Sequence, residues 1–186
     1  MRIISGSLKG KSINFVKNSN TRPLKDSVKE NIFNILKHSN SVNVEIENSN
    51  VLDLYSGIGS FGIETISRGA KKVTFLERDK HSFKILAENL NRLSISNKAE
   101  LLNFEVTSYL KRNKKGKFDI FFFDPPFKDN SFLKNLKLIQ KNNLYKKKHI
   151  IIIHREKNSN ENLGENFDIV ITKLYGRSKI IFGRFN

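Results

Sequence analysis

Five apolar residues, broken only by Asp119, run from Phe118 to Phe123 and lead into Asp124-Pro125-Pro126-Phe127. Two successive prolines remove two ladder donors and hold the backbone extended, so a strand must stop there. The Asp124 carboxylate and the Pro125 carbonyl are then left as rigid acceptors. An exocyclic amine of a nucleobase has two N–H donors and satisfies both. Its lone pair is normally delocalised into the ring; two acceptors below the nitrogen favour a pyramidal form that can attack an electrophilic methyl. Such a transfer is direct and in line, needs no covalent enzyme intermediate and no metal, and draws its acceleration from positioning. Asp124 can also stabilise charge that develops on the amine, with the proton lost to solvent. Phe127 offers a face on which an extruded base stacks, worth about 1–3 kcal/mol. The plainer alternatives are a simple Asp-Pro turn and a core aromatic among fifteen phenylalanines.

A second segment supplies the donor. Val51–Gly62 contains Gly57-x-Gly59-x-x-Gly62 between a strand and a helix, and Glu77 ends the next strand twenty residues after Gly57. This spacing fits a dinucleotide site, with the acid on ribose hydroxyls, as well as it fits S-adenosylmethionine. Asp53, four residues before Gly57, discriminates: it would repel a pyrophosphate but suits the ammonium of a methionine moiety. The glycines then permit close approach of the methionyl and ribose parts, and Tyr55 and Ser56 in the same loop complete the contacts. Arg78 is a candidate for packing on the adenine edge, and Glu105 for its amino group. A braced turn with solvated strand-end acids is the competing reading.

These residues need a scaffold that gathers strand ends. Val51–Leu54, Val73–Leu76, Leu101–Leu102, Phe118–Phe123 and Ile150–Ile153 read as buried strands. Helices are expected over about Ser60–Arg68, stopped by Gly69, then Lys80–Leu93, Val106–Leu110 and Asn130–Gln140. Ile169–Tyr175 and Lys179–Phe185 read as a terminal antiparallel pair. The fold class is α/β: a mostly parallel, seven-stranded, Rossmann-like sheet with helices on both faces, binding ligands at the carboxyl ends of its strands. Residues 1–50 read as an RNA-facing extension packed on a catalytic domain of residues 51–186, in one compact unit. In it, Arg2–Ile4 and Lys11–Phe15 pair as a hairpin, Thr21-Arg22-Pro23 is extended, and a helix over about 26–38 opens on a Ser27-x-x-Glu30 capping box.

Composition narrows the partners. The 186 residues carry 34 basic against 18 acidic side chains, a formal charge of +16, and no cysteine. Disulfides and thiolate metal sites are therefore excluded, and a polyanionic partner is indicated. The abundance of Lys, Asn, Ile and Phe also fits an AT-rich coding bias, which would make part of that charge mere solvated surface. The opening Met1–Gly6 lacks the apolar core of a signal peptide, and the longest apolar run, Ile150–Ile153, is too short for a bilayer. A cytoplasmic, non-membrane, metal-free monomer is expected.

Three segments carry a family likeness: Met1–Lys11, Thr21–Leu36, and the Asp53 loop together with Asp124–Phe127. In these the chain resembles the RsmD-like guanine-N2 methyltransferases of bacterial small-subunit (16S) ribosomal RNA, and Tyr175-Gly176 with the final strand extends the likeness to nearly the whole length. The resemblance implies a class I methyltransferase fold, S-adenosylmethionine as donor, and a guanine of small-subunit RNA as acceptor, within a subunit or its assembly intermediate. It implies that Asp53, Gly57, Gly59 and Glu77 touch the cofactor, that Asp124, Pro125, Pro126 and Phe127 hold the guanine, and that the segment around Arg22 and Asp26 helps close the site. Leu24-Lys25 stands where the family usually has two threonines, Glu105 where an aspartate is common, and His154 where an acid is frequent; His154 is read as structural only. RNA-phosphate contacts are expected from Arg2, Lys9, Lys11, Arg22, Lys25 and Lys29, with Arg177, Lys179 and Arg184 near the other terminus. Lys146-Lys147-Lys148 reads as a solvated loop before a strand. Competing functions are amine methylation of adenine or cytosine in DNA or other RNA, a non-catalytic RNA-binding protein with a decayed site, and an NAD-dependent oxidoreductase.

Overall fold

The computed structural model describes residues 1–15 and 24–186; Thr21-Arg22-Pro23, and with it the RNA contact expected of Arg22, lies outside the described residues. Hydrophobic runs become strands and amphipathic runs become helices, in the order α1 Asp26–His38, β1 Asn50–Asp53, α2 Ser60–Ser67, β2 Lys72–Leu76, α3 Lys80–Arg92, β3 Ala99–Leu102, α4 Val106–Arg112, β4 Phe118–Phe123, α5 Ser131–Lys141, β5 Tyr145–Glu156, β6 Phe167–Tyr175 and β7 Ser178–Phe185. The strands form one seven-stranded sheet in the order β3-β2-β1-β4-β5-β7-β6. The pairs among β1 to β5 are parallel, whereas β7 runs antiparallel to both β5 and β6. The chain order reverses between β1 and β4, the crevice where open sheets of this kind bind ligands.

Strand alternation divides the core in two. Val51, Val73, Phe75, Ile120, Phe122 and Ile152 face one way, onto α1, α2 and α3. Leu52, Leu76, Phe121, Phe123, Ile151 and Ile153 face the other way, onto α4 and α5. This is the Rossmann-like arrangement expected, with helices on both faces. No helix among the described residues is long and apolar enough to cross a membrane.

Three local expectations are corrected. The helix over 26–38 forms, but its N-cap position is Lys25 and no side chain caps it; Ser27 lies inside the first turn, past the N-cap position a capping box requires. The N-terminal hairpin shrinks to one bridge, Arg2↔Ser12, flanked by the Ile3 and Ile13 amides on the Lys11 and Met1 carbonyls, while the Ile4, Ser5, Ser7 and Leu8 amides turn to α2. There the buried Glu64 accepts from the Ile4 and Ser5 amides at 2.8 and 3.0 Å. Gly6 passes so close that a Cβ would lie 1.9 Å from the Ser67 carbonyl oxygen. Lys146–Lys148 is not a free loop: it belongs to β5, at a shift in its register with β4.

Candidate active site

The carboxyl ends of the parallel strands enclose a cleft of 840 Å³ lined by Asp53, Tyr55, Ser56, Gly57, Glu77, Arg78, Glu105, Asp124, Pro125, Pro126, Phe127 and His154, among others. Asp53 ends β1 and is only 1% exposed. Its Oδ2 accepts the Gly62 amide at 3.1 Å, and its Oδ1 is buried with no hydrogen-bond partner among the described residues. Burial pushes this carboxyl up to about 8, partly opposed by the Gly62 amide and reinforced by Asp124 and Glu77. An unpaired buried acceptor is costly to leave unmade. It fits a cationic or hydrogen-bonding ligand group delivered to the cleft.

Glu77 ends β2 and holds the glycine loop in place. Its Oε2 accepts the Gly57 amide and its Oε1 the Asp79 amide, both at 2.7 Å. Burial raises the Glu77 carboxyl against the pull of these two amides. Asp79 in turn caps α3 through the Ser82 amide at 2.8 Å. The Ser56 hydroxyl closes the loop by donating to the Asp53 carbonyl at 2.7 Å. Tyr55 accepts from Asn135 of α5 at 2.9 Å, and burial raises its phenol. Glu105 lines the cleft but also serves as the N-cap of α4, accepting from the Thr107 and Ser108 amides at 3.0 and 2.7 Å. Although its partial burial works upward, these bonds hold the Glu105 carboxyl below its ordinary range.

The three glycines divide by role. A Cβ on Gly57, where φ is +53°, would meet nothing within 4 Å, so this position opens to the cleft. Gly59 and Gly62 do not line the cleft. A Cβ on Gly59 would strike Leu86 of α3 at 2.3 Å, and one on Gly62 would strike the Phe75 ring at 2.2 Å. Both positions carry a packing reason for glycine, since α2 must press against α3 and β2. The Gly62 amide reaches the site only through Asp53.

At the end of β4, Asp124 Oδ1 lies 2.8 Å from Nδ1 of His154, and His154 Nε2 lies 2.9 Å from the Ser178 hydroxyl. His154 is 6% exposed, and its ring meets Phe127 edge-on, 5.6 Å between centroids at 84°. It is therefore buried, as the sequence suggests, yet it grips the acceptor carboxylate itself. Arg155, the next residue, is 2% exposed. Its guanidinium donates to the Pro126 and Phe127 carbonyls at 3.3 and 2.8 Å and to Glu161 at 2.9 Å, and it stacks over Phe132. It fixes the turn that carries Phe127. The position of His154 after a strand was the only sequence signal for this pair; for Arg155 there was none.

The basic residues separate sharply. Arg2, Lys9, Lys11 and Lys25 are exposed, and Met1, Phe15 and Leu24 beside them line the cleft. Arg177 is exposed and pairs loosely with Glu156 at 3.4 Å. Lys29 is corrected: it is completely buried. Its ammonium donates to the Arg2 carbonyl at 3.0 Å and lies 3.5 Å from Asp26 and 3.9 Å from Glu64. Lys179 is also corrected, since Glu161 at 2.9 Å and the Ser159 carbonyl take its ammonium. Arg184 is exposed but stands opposite Asp168 in β6, toward the end of the sheet away from the cleft.

Known proteins share this fold. The solved structure of yhhF from Escherichia coli matches with a TM-score of 0.85 and 26% identity, covering 100% of this chain and 97% of that one. HI0767 from Haemophilus influenzae gives 0.80 and 33%, covering 98% and 96%. Ribosomal RNA small subunit methyltransferase D of Haemophilus influenzae is 36% identical over 95% of this chain and 89% of its own length. Its namesake from Buchnera aphidicola of Acyrthosiphon pisum is 34% identical, over 92% and 86%. A family model described as conserved hypothetical protein 95 matches residues 1–184, and the chain belongs to that family, alongside these methyltransferase D relatives.

Proposed function

We propose that this protein transfers a methyl group from S-adenosylmethionine to the exocyclic N2 amine of a guanine in small-subunit ribosomal RNA. One observation carries the reading: the cleft that holds the unpartnered Oδ1 of Asp53 also holds Asp124 and the Pro125 carbonyl at the neighbouring strand end. The first suits the α-ammonium of a methionine moiety, and the second pair suits an amine with two hydrogens. When bound, S-adenosylmethionine supplies an electrophilic methyl on a sulfonium. Asp53 holds its ammonium, Gly57 gives the backbone room, Glu77 receives the ribose hydroxyls, and Arg78 and Glu105 flank the adenine.

On the acceptor side Asp124 and the Pro125 carbonyl take the two amine hydrogens and turn the nitrogen lone pair away from the ring. His154 donates from Nδ1 to Asp124 Oδ1 when its Nε2 accepts from Ser178, which leaves Oδ2 for the amine. Phe127, held by Arg155, is the stacking face. The amine proton released by methylation leaves through Asp124 to solvent. The choice of RNA rests on the names of the relatives and on the +16 charge; guanine rests on the family resemblance, since adenine and cytosine also present amines.

The test is methylation with labelled donor of small ribosomal subunits from a strain lacking the enzyme, beside duplex DNA, followed by mass-spectrometric mapping of the modified nucleotide. N2-methylguanine at one position is expected. Label appearing only in DNA, or on another base, would overturn the assignment.

A further inference from the structure

The amino end of the sheet, opposite the cleft, has a built feature that methyl transfer does not use. Phe118 pairs with Tyr145 and Ile120 with Ile150, so Asp119 alone on β4 faces four residues, Lys146–His149, on β5. The extra residues bulge outward. The bulge is pinned by His149, which is 4% exposed: Nδ1 bonds the Lys146 carbonyl at 2.8 Å, and Nε2 accepts the Phe185 amide at 3.0 Å. That pattern fixes a neutral ring, in keeping with the downward push of burial on its pKa. Lys146 spends its charge on Asp119 at 2.8 Å, whereas Lys147 and Lys148 are exposed.

A second run of cations is brought alongside. Asn142, just after α5, donates to the carbonyls of Leu110 and Asn113 at 2.6 and 3.3 Å. This ties the loop between α4 and β4 to the same end of the sheet, with Arg112, Lys114, Lys115 and Lys117 exposed. The acid between these two runs, Asp119, is already paired. Bulges re-aim side chains, and here one turns a lysine run that sequence alone reads as solvated into part of an ordered, exposed cationic ridge.

We infer that this ridge is a second RNA-binding surface, which grips the phosphate backbone of the substrate at a distance from the methylated base. The inference rests on RNA as the acceptor. The six residues of β4 separate ridge from cleft by about 20 Å at about 3.3 Å per residue. Only a folded RNA large enough to span that distance touches both, so the ridge favours an intact subunit or long RNA over a short fragment carrying the target guanine. Contacts of this kind give affinity and orientation, not base choice.

The test compares wild type with K114E/K115E/K147E/K148E and with a charge-matched control on the helices, K37E/K84E/K134E/K137E. Binding to 16S RNA and to small subunits is measured across a salt series, with methylation kinetics on subunits and on a short target hairpin. The ridge variant is expected to bind the long RNA at least about tenfold more weakly than the control at about 0.1 M salt, with a log–log salt slope reduced by about 3 to 4. Its turnover at saturation, its S-adenosylmethionine affinity and its use of the hairpin are expected to stay at the wild-type level. Equal losses in both variants would assign the effect to total charge and overturn the ridge, as would unchanged binding. Binding to anionic vesicles but not to RNA would overturn the choice of partner. RNA binding lost in the ridge variant, with no methylation of RNA by wild type, would uphold the ridge and sink the proposed reaction instead.

Discussion

Lowering the pH from about 7.5 to about 6 should weaken S-adenosylmethionine binding about 25-fold, if Asp53 must be ionised to receive the ammonium. The Asp53 carboxyl stands at about 8 because it is buried with one oxygen unpaired. At about pH 7.5 about a quarter of free molecules carry it ionised, and at about pH 6 about one in a hundred. Each unit costs about 1.4 kcal/mol of binding free energy. Binding at about pH 7 should release about 0.9 proton, which calorimetry reads from buffers of different ionisation enthalpy. The sign for stability is the opposite of a paired carboxylate's. With its folded pKa above the unfolded 3.8, Asp53 contributes stability that is fully present below about pH 4 and lost as pH rises through about 8. The free protein should therefore lose stability toward alkaline pH, and cofactor should restore most there. Asp53→Asn should flatten both profiles, which separates its titration from that of Glu77. Wild-type affinity that stayed constant over this range, with no proton release, would refute the placing of the ammonium on Asp53.

Asp124→Ala should lower turnover by at least about 10²-fold while leaving cofactor affinity within about threefold, by single-turnover kinetics and calorimetry; surviving turnover would remove Asp124 from the chemistry. His154→Leu should cost about tenfold to a hundredfold in kcat with the cofactor Kd unchanged, whereas His154→Asn, which keeps a donor near Nδ1, should recover most of it. An equal loss in both would make His154 a packing residue only. Lys29→Met removes the buried ammonium near Glu64 and Asp26 but leaves Arg68 on Glu64 at 2.8 Å, and should destabilise by about 1–2 kcal/mol, about 2–8 °C in Tm by calorimetry, with the RNA affinity of the folded protein unchanged.

What was legible in the sequence was what local grammar writes. A proline pair must end a strand, and a glycine run between strand and helix must make a tight turn, so Asp53, Gly57, Glu77 and Asp124 could be set at strand ends without knowing the sheet. Properties that depend on a distant partner were not legible. The burial of Lys29 is one of these: Asp26 is a local partner, but the Arg2 carbonyl and Glu64, 35 positions away on another helix, reach its ammonium only after α1 packs on α2. The packing demand at Gly59 and Gly62 is equally hidden, because the Leu86 and Phe75 side chains that exclude a Cβ there come from other elements.

His154 shows which missing fact decides such cases. Phe123 pairs in register with Ile153, so the next residue on each strand, Asp124 and His154, emerge side by side at the same level. The parallel pairing of Asp53 with Phe122 sets the first carboxylate just behind them. Once that register is known, the acid just past the end of β4 falls beside a histidine that β5 carries on toward β7. Toward the opposite end the pairing shifts between Phe118 and Ile120, and the surplus residues of β5 there are Lys146–His149. The carboxylates at one end of the sheet and the exposed Lys147 and Lys148 at the other thus lie at the two limits of one in-register stretch, Ile120–Phe123 against Ile150–Ile153. A one-residue slip of β5 would unmake both, because it would reverse the facing of Ile151 and Ile153 and expose them to the wrong layer. The acceptor site and the cationic ridge are therefore held in place by the same buried isoleucines.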